Sequence, residues 1–208
     1  MKKIVTLLSA ALVLLASAPA FAQASIGAGY LSSVNVNKSG KTSEALNGFY
    51  AGVGFTVPVT AGINFTPGVY YGYITKSNAS SIGTIASATG RLQEHYVNIP
   101  LHFSYGIELS DGFSLFAYAG PSASLGLAST YTLSGNVAGI GGSGKTDNYK
   151  DGSNYNRFDV MLGAGVGLEF NDMIRFQVGY DWGMLNRYNS NNYTVKRNQL
   201  TAGVAFLF

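Results

Sequence analysis

The chain contains no cysteine. That excludes a disulfide scaffold, a thiolate metal site and a lipid anchor on a cysteine. Two histidines are too few for a multi-histidine metal centre. Charge is scarce as well: charged residues make up 11% of the chain, against about 25% in an ordinary soluble domain. Lys and Arg do not cluster into a phosphate-binding surface, so a nucleic-acid partner is not expected. Neither is a cofactor or a metal. Beyond the N-terminal segment, no apolar run approaches the roughly 20 residues of a membrane-spanning helix. Glycine and tyrosine are abundant instead, at 27 and 14 residues. Low charge, many aromatics and no membrane helix point to a chain that meets lipid through β-strands.

The N-terminus reads as a targeting segment. Lys2 and Lys3 form a positive n-region, residues 4–18 an uncharged apolar stretch, and Ala20, Phe21 and Ala22 a small-x-small cleavage site. Residues 1–22 are therefore expected to be a signal peptide and residues 23–208 one outer-membrane barrel domain. Loss of the two lysines lowers the formal charge from +3 to +1.

Eight extended segments follow, at about 24–37, 48–59, 63–75, 92–109, 113–133, 157–170, 174–188 and 193–208. Their period of two is the decisive signal. In the sixth segment Phe158, Val160, Leu162, Ala164, Val166, Leu168 and Phe170 alternate with Asp159, Met161, Gly163, Gly165, Gly167 and Glu169. In the seventh, Ile174, Phe176, Val178, Tyr180 and Trp182 alternate with Arg175, Gln177, Gly179, Asp181 and Gly183. The first segment is weaker, because Leu31 and Ser32 interrupt its alternation. A soluble sandwich also alternates, but its solvated face would be rich in Lys and Glu. Here that face carries glycine, tyrosine and scattered charge, which suits the filled interior of a closed barrel with its apolar face turned to lipid. Phe113, Phe158, Phe170, Tyr180, Trp182, Phe206 and Phe208 are expected to form lipid-facing aromatic girdles.

The connections alternate in length. Three-residue loops are expected at Thr60, Ala61 and Gly62, at Ser110, Asp111 and Gly112, and at Asn171, Asp172 and Met173. Gly62 and Gly112 stand where such a loop needs positive φ. Between them come longer polar loops at 38–47, 76–91, 134–156 and 189–192, the third glycine-rich and mobile. Short periplasmic turns and long extracellular loops are the habit of outer-membrane barrels. The fold expected is therefore all-β: an eight-stranded antiparallel up-and-down transmembrane barrel, with both termini periplasmic.

The segments YVNIPLHFSYG from Tyr96, AYAGPSASLGL from Ala117, LGAGVGLEF from Leu162, FQVGYDWGMLN from Phe176 and LTAGVAFLF from Leu200 resemble the PorT-type, OmpX-like outer-membrane β-barrel family, which also carries porin-family annotation. The resemblance covers the last five strands. It implies an eight-stranded barrel and little about activity. In similar barrels a terminal aromatic such as Phe208 forms part of the signal read by the barrel-insertion machinery. That machinery, outer-membrane lipid and an extracellular ligand at the loops are the partners expected, for a monomer.

The ionisable residues placed in the lumen are Glu94, His102, Glu108, Asp159, Glu169, Arg175, Asp181, Arg187 and Arg197. Internal ion pairing is the expected role, because an isolated buried charge costs several kcal/mol. Glu169 is expected opposite Arg175, and Asp181 near Arg197. Two other readings compete. The glycine-rich lumen could leave a narrow pore, so a small porin is the alternative function. His102 with Ser104 and Glu108 is similar to the site of outer-membrane lipid A deacylases, but the six residues from His102 to Glu108 span about 20 Å of strand. No catalytic residue and no enzyme activity is therefore expected; an envelope-structural or surface-interaction role is.

Overall fold

The computed structural model describes residues 22–37, 41–43, 45–82, 86–138, 140–150, 155–188 and 194–208. The expected signal segment, residues 1–21, lies outside them, as do the 189–192 connection and Gly139. The strands are β1 Gln23–Asn37, β2 Leu46–Thr60, β3 Ile63–Ile82, β4 Ala86–Ser110, β5 Phe113–Val137, β6 Ile140–Asp147, β7 Phe158–Phe170, β8 Ile174–Gly183 and β9 Val195–Leu207. Every pairing is antiparallel. The order β4-β3-β2-β1-β9-β8-β7-β5 closes through β4–β5 pairing, so eight strands form a barrel and β6 lies outside the ring on β5.

The sheet closes because each strand has one face that water rejects. Along β7, Phe158, Leu162, Val166 and Phe170 are exposed on the outside, while Asp159, Met161, Gly163 and Gly167 are buried within. Outward apolar residues with this exposure recur around the ring, among them Ile26, Phe49, Phe103, Val178 and Phe206. Aromatic rings gather towards both ends of that band. Phe113 lies 4.9 Å from Phe170 at the short-turn end, and Tyr180 lies 4.9 Å from Trp182 towards the other.

Several expectations need correction. The alternation of β1 is unbroken: Ile26 and Tyr30 face outward while Leu31 is 1% exposed inside the lumen. Leu31 interrupts the chemical pattern, not the geometry. At two short connections the turn proper has two residues. Thr60 pairs with Ile63 and Ser110 with Phe113, and a register shift in the preceding strand absorbs the extra residue. Gly62 at φ 75° and Gly112 at φ 70° hold the left-handed position. The third turn keeps three residues, and Asn171 and Asp172 both adopt positive φ, which their short polar side chains tolerate.

The larger correction concerns the long connections. Residues 76–82 and 86–91 are not loop: they continue β3 and β4 as a paired hairpin. The stretch expected as a mobile loop after Ser134 completes β5 and forms β6, with Val137 opposite Ile140 and Gly135 opposite Gly142. These segments are polar because they leave the apolar band, not because they lack backbone pairing. The sequence expectation equated polarity with irregularity. The seventh expected segment, conversely, ends early as β8 at Gly183, and only an isolated bridge joins Tyr155 to Tyr188. The result is a four-stranded sheet of β3, β4, β5 and β6 that continues roughly 20 Å past the last β2–β3 pair at Asn47 and Thr75.

Candidate functional site

The lumen holds the inward charges, and it is layered along its axis. At the short-turn end, the β7–β8 register sets Glu169 opposite Arg175. Arg175 Nε donates to Glu169 Oε2 at 2.7 Å, Nη1 donates to Thr56 Oγ1 at 3.3 Å, and the guanidinium lies 4.8 Å over the Phe116 ring. A cavity of about 340 Å³ opens there, with Glu108, Asp172, Glu169 and Arg175 in its wall. Glu108 is exposed in that mouth. It is therefore a rim residue and not part of a buried cluster.

Deeper in, His102 Nε2 is 3.0 Å from Ser122 Oγ, and the imidazole stacks on Tyr118 at 5.1 Å. The His102 partner is thus Ser122 on β5 and not Ser104, which is buried two residues along its own strand. Asp181 accepts a hydrogen bond from Gln199 Nε2 at 3.0 Å, since the β8–β9 register pairs those two residues. The expected approach of Asp181 to Arg197 is not made as an ion pair. A second cavity of about 100 Å³ lies among these groups.

An apolar layer crosses the lumen above that cavity. Leu31, Leu46, Tyr50, Ile74 and Tyr96 pack together, with Tyr70 and Leu92 against them. Ile74 and Tyr96 are 0% and 1% exposed. Arg197 caps the layer, its guanidinium 4.4 Å from the Tyr96 ring and its Nη2 donating to Ser124 Oγ at 2.6 Å. Asp159 stands 4.0 Å from Arg197 Nε, a distance at which neither group completes a hydrogen bond to the other.

Beyond the layer, at the hairpin end, lies the most heavily partnered group. Arg187 Nη2 donates to both Glu94 carboxylate oxygens, at 3.2 and 3.0 Å, and Nη1 donates to Asn35 Oδ1 at 3.0 Å. Glu94 Oε1 also accepts from Tyr155 Oη at 3.1 Å and Ser129 Oγ at 3.2 Å. The Arg187 guanidinium sits 4.6 Å over the Tyr155 ring. The segment carrying Arg187 is held in place because Arg187 N donates to Val195 O and Asn156 N donates to Arg187 O, each at 2.8 Å. Burial opposes the Arg187 charge, yet the adjoining Glu94 carboxylate keeps its pKa above the ordinary guanidinium value. Burial likewise raises the Tyr155 phenol, with Arg187 opposing.

The structure therefore brings together Glu169 with Arg175 and Glu94 with Arg187, and leaves Glu108 at a rim. Sequence reasoning missed Leu31, Ile74, Tyr96 and Tyr155. The first three carried a readable signal: each is a large apolar or aromatic residue on the parity otherwise given to glycine and charge. Tyr155 lies in a connection, where strand parity says nothing. Among the described residues no cluster of His, Asp and Glu has the makings of a metal site.

A family model described as outer membrane protein beta-barrel domain matches residues 21–189. Solved structures similar to this chain include Ail of Yersinia pestis bound to the heparin analogue sucrose octasulfate. It is 15% identical, with 90% of this chain and 99% of that one covered and a TM-score of 0.47. Neisserial surface protein A is 15% identical, with 89% and 97% covered and a TM-score of 0.45. The outer membrane protease OmpT of Escherichia coli is 12% identical, with 91% and 97% covered and a TM-score of 0.41. No curated protein matches the chain.

Proposed function

The chain belongs to the outer membrane protein beta-barrel domain family, and from that premise we propose that it is a closed, non-enzymatic barrel that presents a projecting β-sheet outside the cell. Its termini and short turns face the periplasm, its girdled outer face meets lipid, and it works as a monomer, because ring closure leaves no free barrel edge within the membrane. Membership of the narrower PorT-type, OmpX-like group belongs to the same proposal and rests on motif order in the last five strands.

The observation that carries the reading is the projecting sheet. Among the described residues, every residue of β6 is exposed, Ile140 at 82%, and Tyr131, Leu133 and Val137 on the adjoining β5 are 43%, 51% and 61% exposed. Bare apolar side chains beyond the membrane mark a contact surface. Catalysis has no comparable support. His102 engages Ser122 and Glu108 lies at the mouth, and among the described residues no carboxylate hydrogen-bonds the imidazole, as a nucleophile–base–orienter set requires.

The small-porin reading draws on the two lumenal cavities, and the apolar layer with the Glu94–Arg187 pair argues against it. Protease applied to intact cells should cut within 139–145 and spare the Ser110–Phe113 turn. Refolded protein in planar bilayers should show no steady conductance. Cleavage at the turn would reverse the orientation, and a stable ion-selective current would favour the porin.

A further inference from the structure

The two cavities share part of their walls. Ser104, Phe116 and Arg175 border both the mouth cavity and the deeper one. The Arg175 side chain, pinned by Glu169 and resting on Phe116, stands in that shared wall. Above the deeper cavity the lumen is shut twice, first by the Leu31–Ile74–Tyr96 layer and then by Glu94 with Arg187. The space is therefore blind. Its open end is the short-turn end.

Charge is sorted along the same axis. Arg187 and Arg197 belong to the seals. The mouth sets three carboxylates, Glu108, Glu169 and Asp172, against the single guanidinium of Arg175. Inside, Asp181 is 8% exposed and takes its hydrogen bond from a neutral amide, that of Gln199. The deeper cavity also contains the Asn98 Oδ1 acceptor, which is buried without a hydrogen-bond partner in the protein. A water takes about 30 Å³ of liquid volume, so a cavity of about 100 Å³ holds a few waters or one small polar group. A low-dielectric wall focuses the field of the acidic mouth and concentrates small cations there.

We propose that the lumen is a one-sided aqueous well, entered from the periplasm past Arg175, that receives small organic cations of the ammonium class and ends at the His102–Ser122 pair. The inference rests on the closed-barrel reading above. It adds a ligand class and a side of entry that closure alone does not require.

The absence of native cysteine makes a direct test available. Ser122→Cys places one thiol at the head of the well, Ser129→Cys one beyond the apolar layer, and Ser143→Cys one on exposed β6. The full mature chain is refolded into vesicles in a single orientation, and folding is confirmed by heat-modifiable gel mobility. Two membrane-impermeant probes are applied to each side: trimethylammonioethyl and sulfonatoethyl methanethiosulfonate. Ser122→Cys should react from the short-turn side only, with the cation faster than the anion by about tenfold or more. Glu108→Gln should shrink that ratio. Ser129→Cys should stay unreactive from the short-turn side, and Ser143→Cys should react from the hairpin side and so fix the orientation. If Ser122→Cys fails to fold, Ser104→Cys in the shared wall carries the same test. No reaction from either side in folded protein overturns the well and leaves the closed barrel standing. Equal rates for the two probes overturn the cation preference. Reaction of Ser122→Cys from both sides overturns the well and the closed barrel together.

Discussion

Strands β4 and β5 run through two regions of the molecule, and in passing from one to the other their apolar residues change sides. Within the barrel the outward residues of β4 are Ile99, Leu101, Phe103, Tyr105 and Ile107, and the inward ones include Asn98, His102 and Ser104. Continued upward on the same parity, the outward residues become His95, Gln93, Arg91 and Thr89, and the inward side carries Leu92, Gly90 and Ala88. On β5 a register shift opposite His95 and Tyr96 brings Tyr131 and Leu133 to the inward side, opposite Leu92 and Gly90. The inversion falls just above the level of Tyr73 and His95, whose rings lie 4.9 Å apart. One backbone rule serves both regions, and the solvent outside the sheet decides which face is apolar. Lipid demands apolar side chains on the outer face; water beyond the rim does not.

The comparison breaks most severely where the lumen is sealed between the two regions. Arg187 and Glu94 have side chains 5% and 3% exposed, so Arg187→Ala strands a buried carboxylate. It should cost about 3–5 kcal/mol in denaturant unfolding followed by gel mobility, and it should open a leak conductance. An unchanged midpoint would mean that water already reaches Glu94. Leu162→Arg comes next. Leu162 is 50% exposed on the lipid face of β7, near the middle of the band. A charge there should cost about 2–4 kcal/mol in bilayers. Equal stability would overturn the assignment of that face.

Smaller effects are expected at the two ends. Arg175→Ala removes a charged hydrogen bond from Glu169 at a partly hydrated mouth, and should cost about 1–2 kcal/mol. Tyr155→Phe removes one donor to Glu94 and should cost about 1 kcal/mol at neutral pH. It also has a pH signature. The folded phenol titrates above its ordinary 10.0, so its stabilising contribution is complete below that value and is lost as pH rises through the folded pKa. Unfolding midpoints measured from neutral pH upward should therefore fall less steeply in Tyr155→Phe than in wild type above pH about 10.

The transmembrane part was legible because lipid leaves the sequence little choice. Strand parity, short turns and the Glu169–Arg175 register all follow from alternation carried across a turn. The projecting sheet was not legible, because in water a paired strand and a loop can share one composition. Ser77, Asn78, Ser134 and Asn136 look the same in either state, and only the cross-strand partner distinguishes them. The apolar layer was half legible. Leu31 interrupts the pattern because it is the visible edge of a cluster whose other members, Leu46, Tyr50, Ile74 and Tyr96, come from three other strands. Arg187 was placed in the lumen by extending β8 through it. The strand ends at Gly183, and the residue reaches the lumen from a connection held by its backbone bonds to Val195 and Asn156.

The smallest expected effect tests the comparison most directly. Leu133 and Leu162 are nearly equal in exposure, at 51% and 50%, and both stand on antiparallel strands of the same sheet. Leu162 lies across from Trp182 within the girdled band, whereas Leu133 lies between Gly90 and Gly144 on the projecting sheet. A glycine on either side gives Leu133 little to pack against, and nothing within 4 Å would meet a Cβ added at Gly144. Leu133→Arg should therefore change stability by no more than about 0.5 kcal/mol, as for a surface site without special contacts. Measured beside Leu162→Arg under the same conditions, the pair matches exposure and substitution and sets a side chain turned outward to lipid against one on the inner side of the projecting sheet, in water. A large loss at Leu133 would mean that the inner side of the projecting sheet is packed and not open to water.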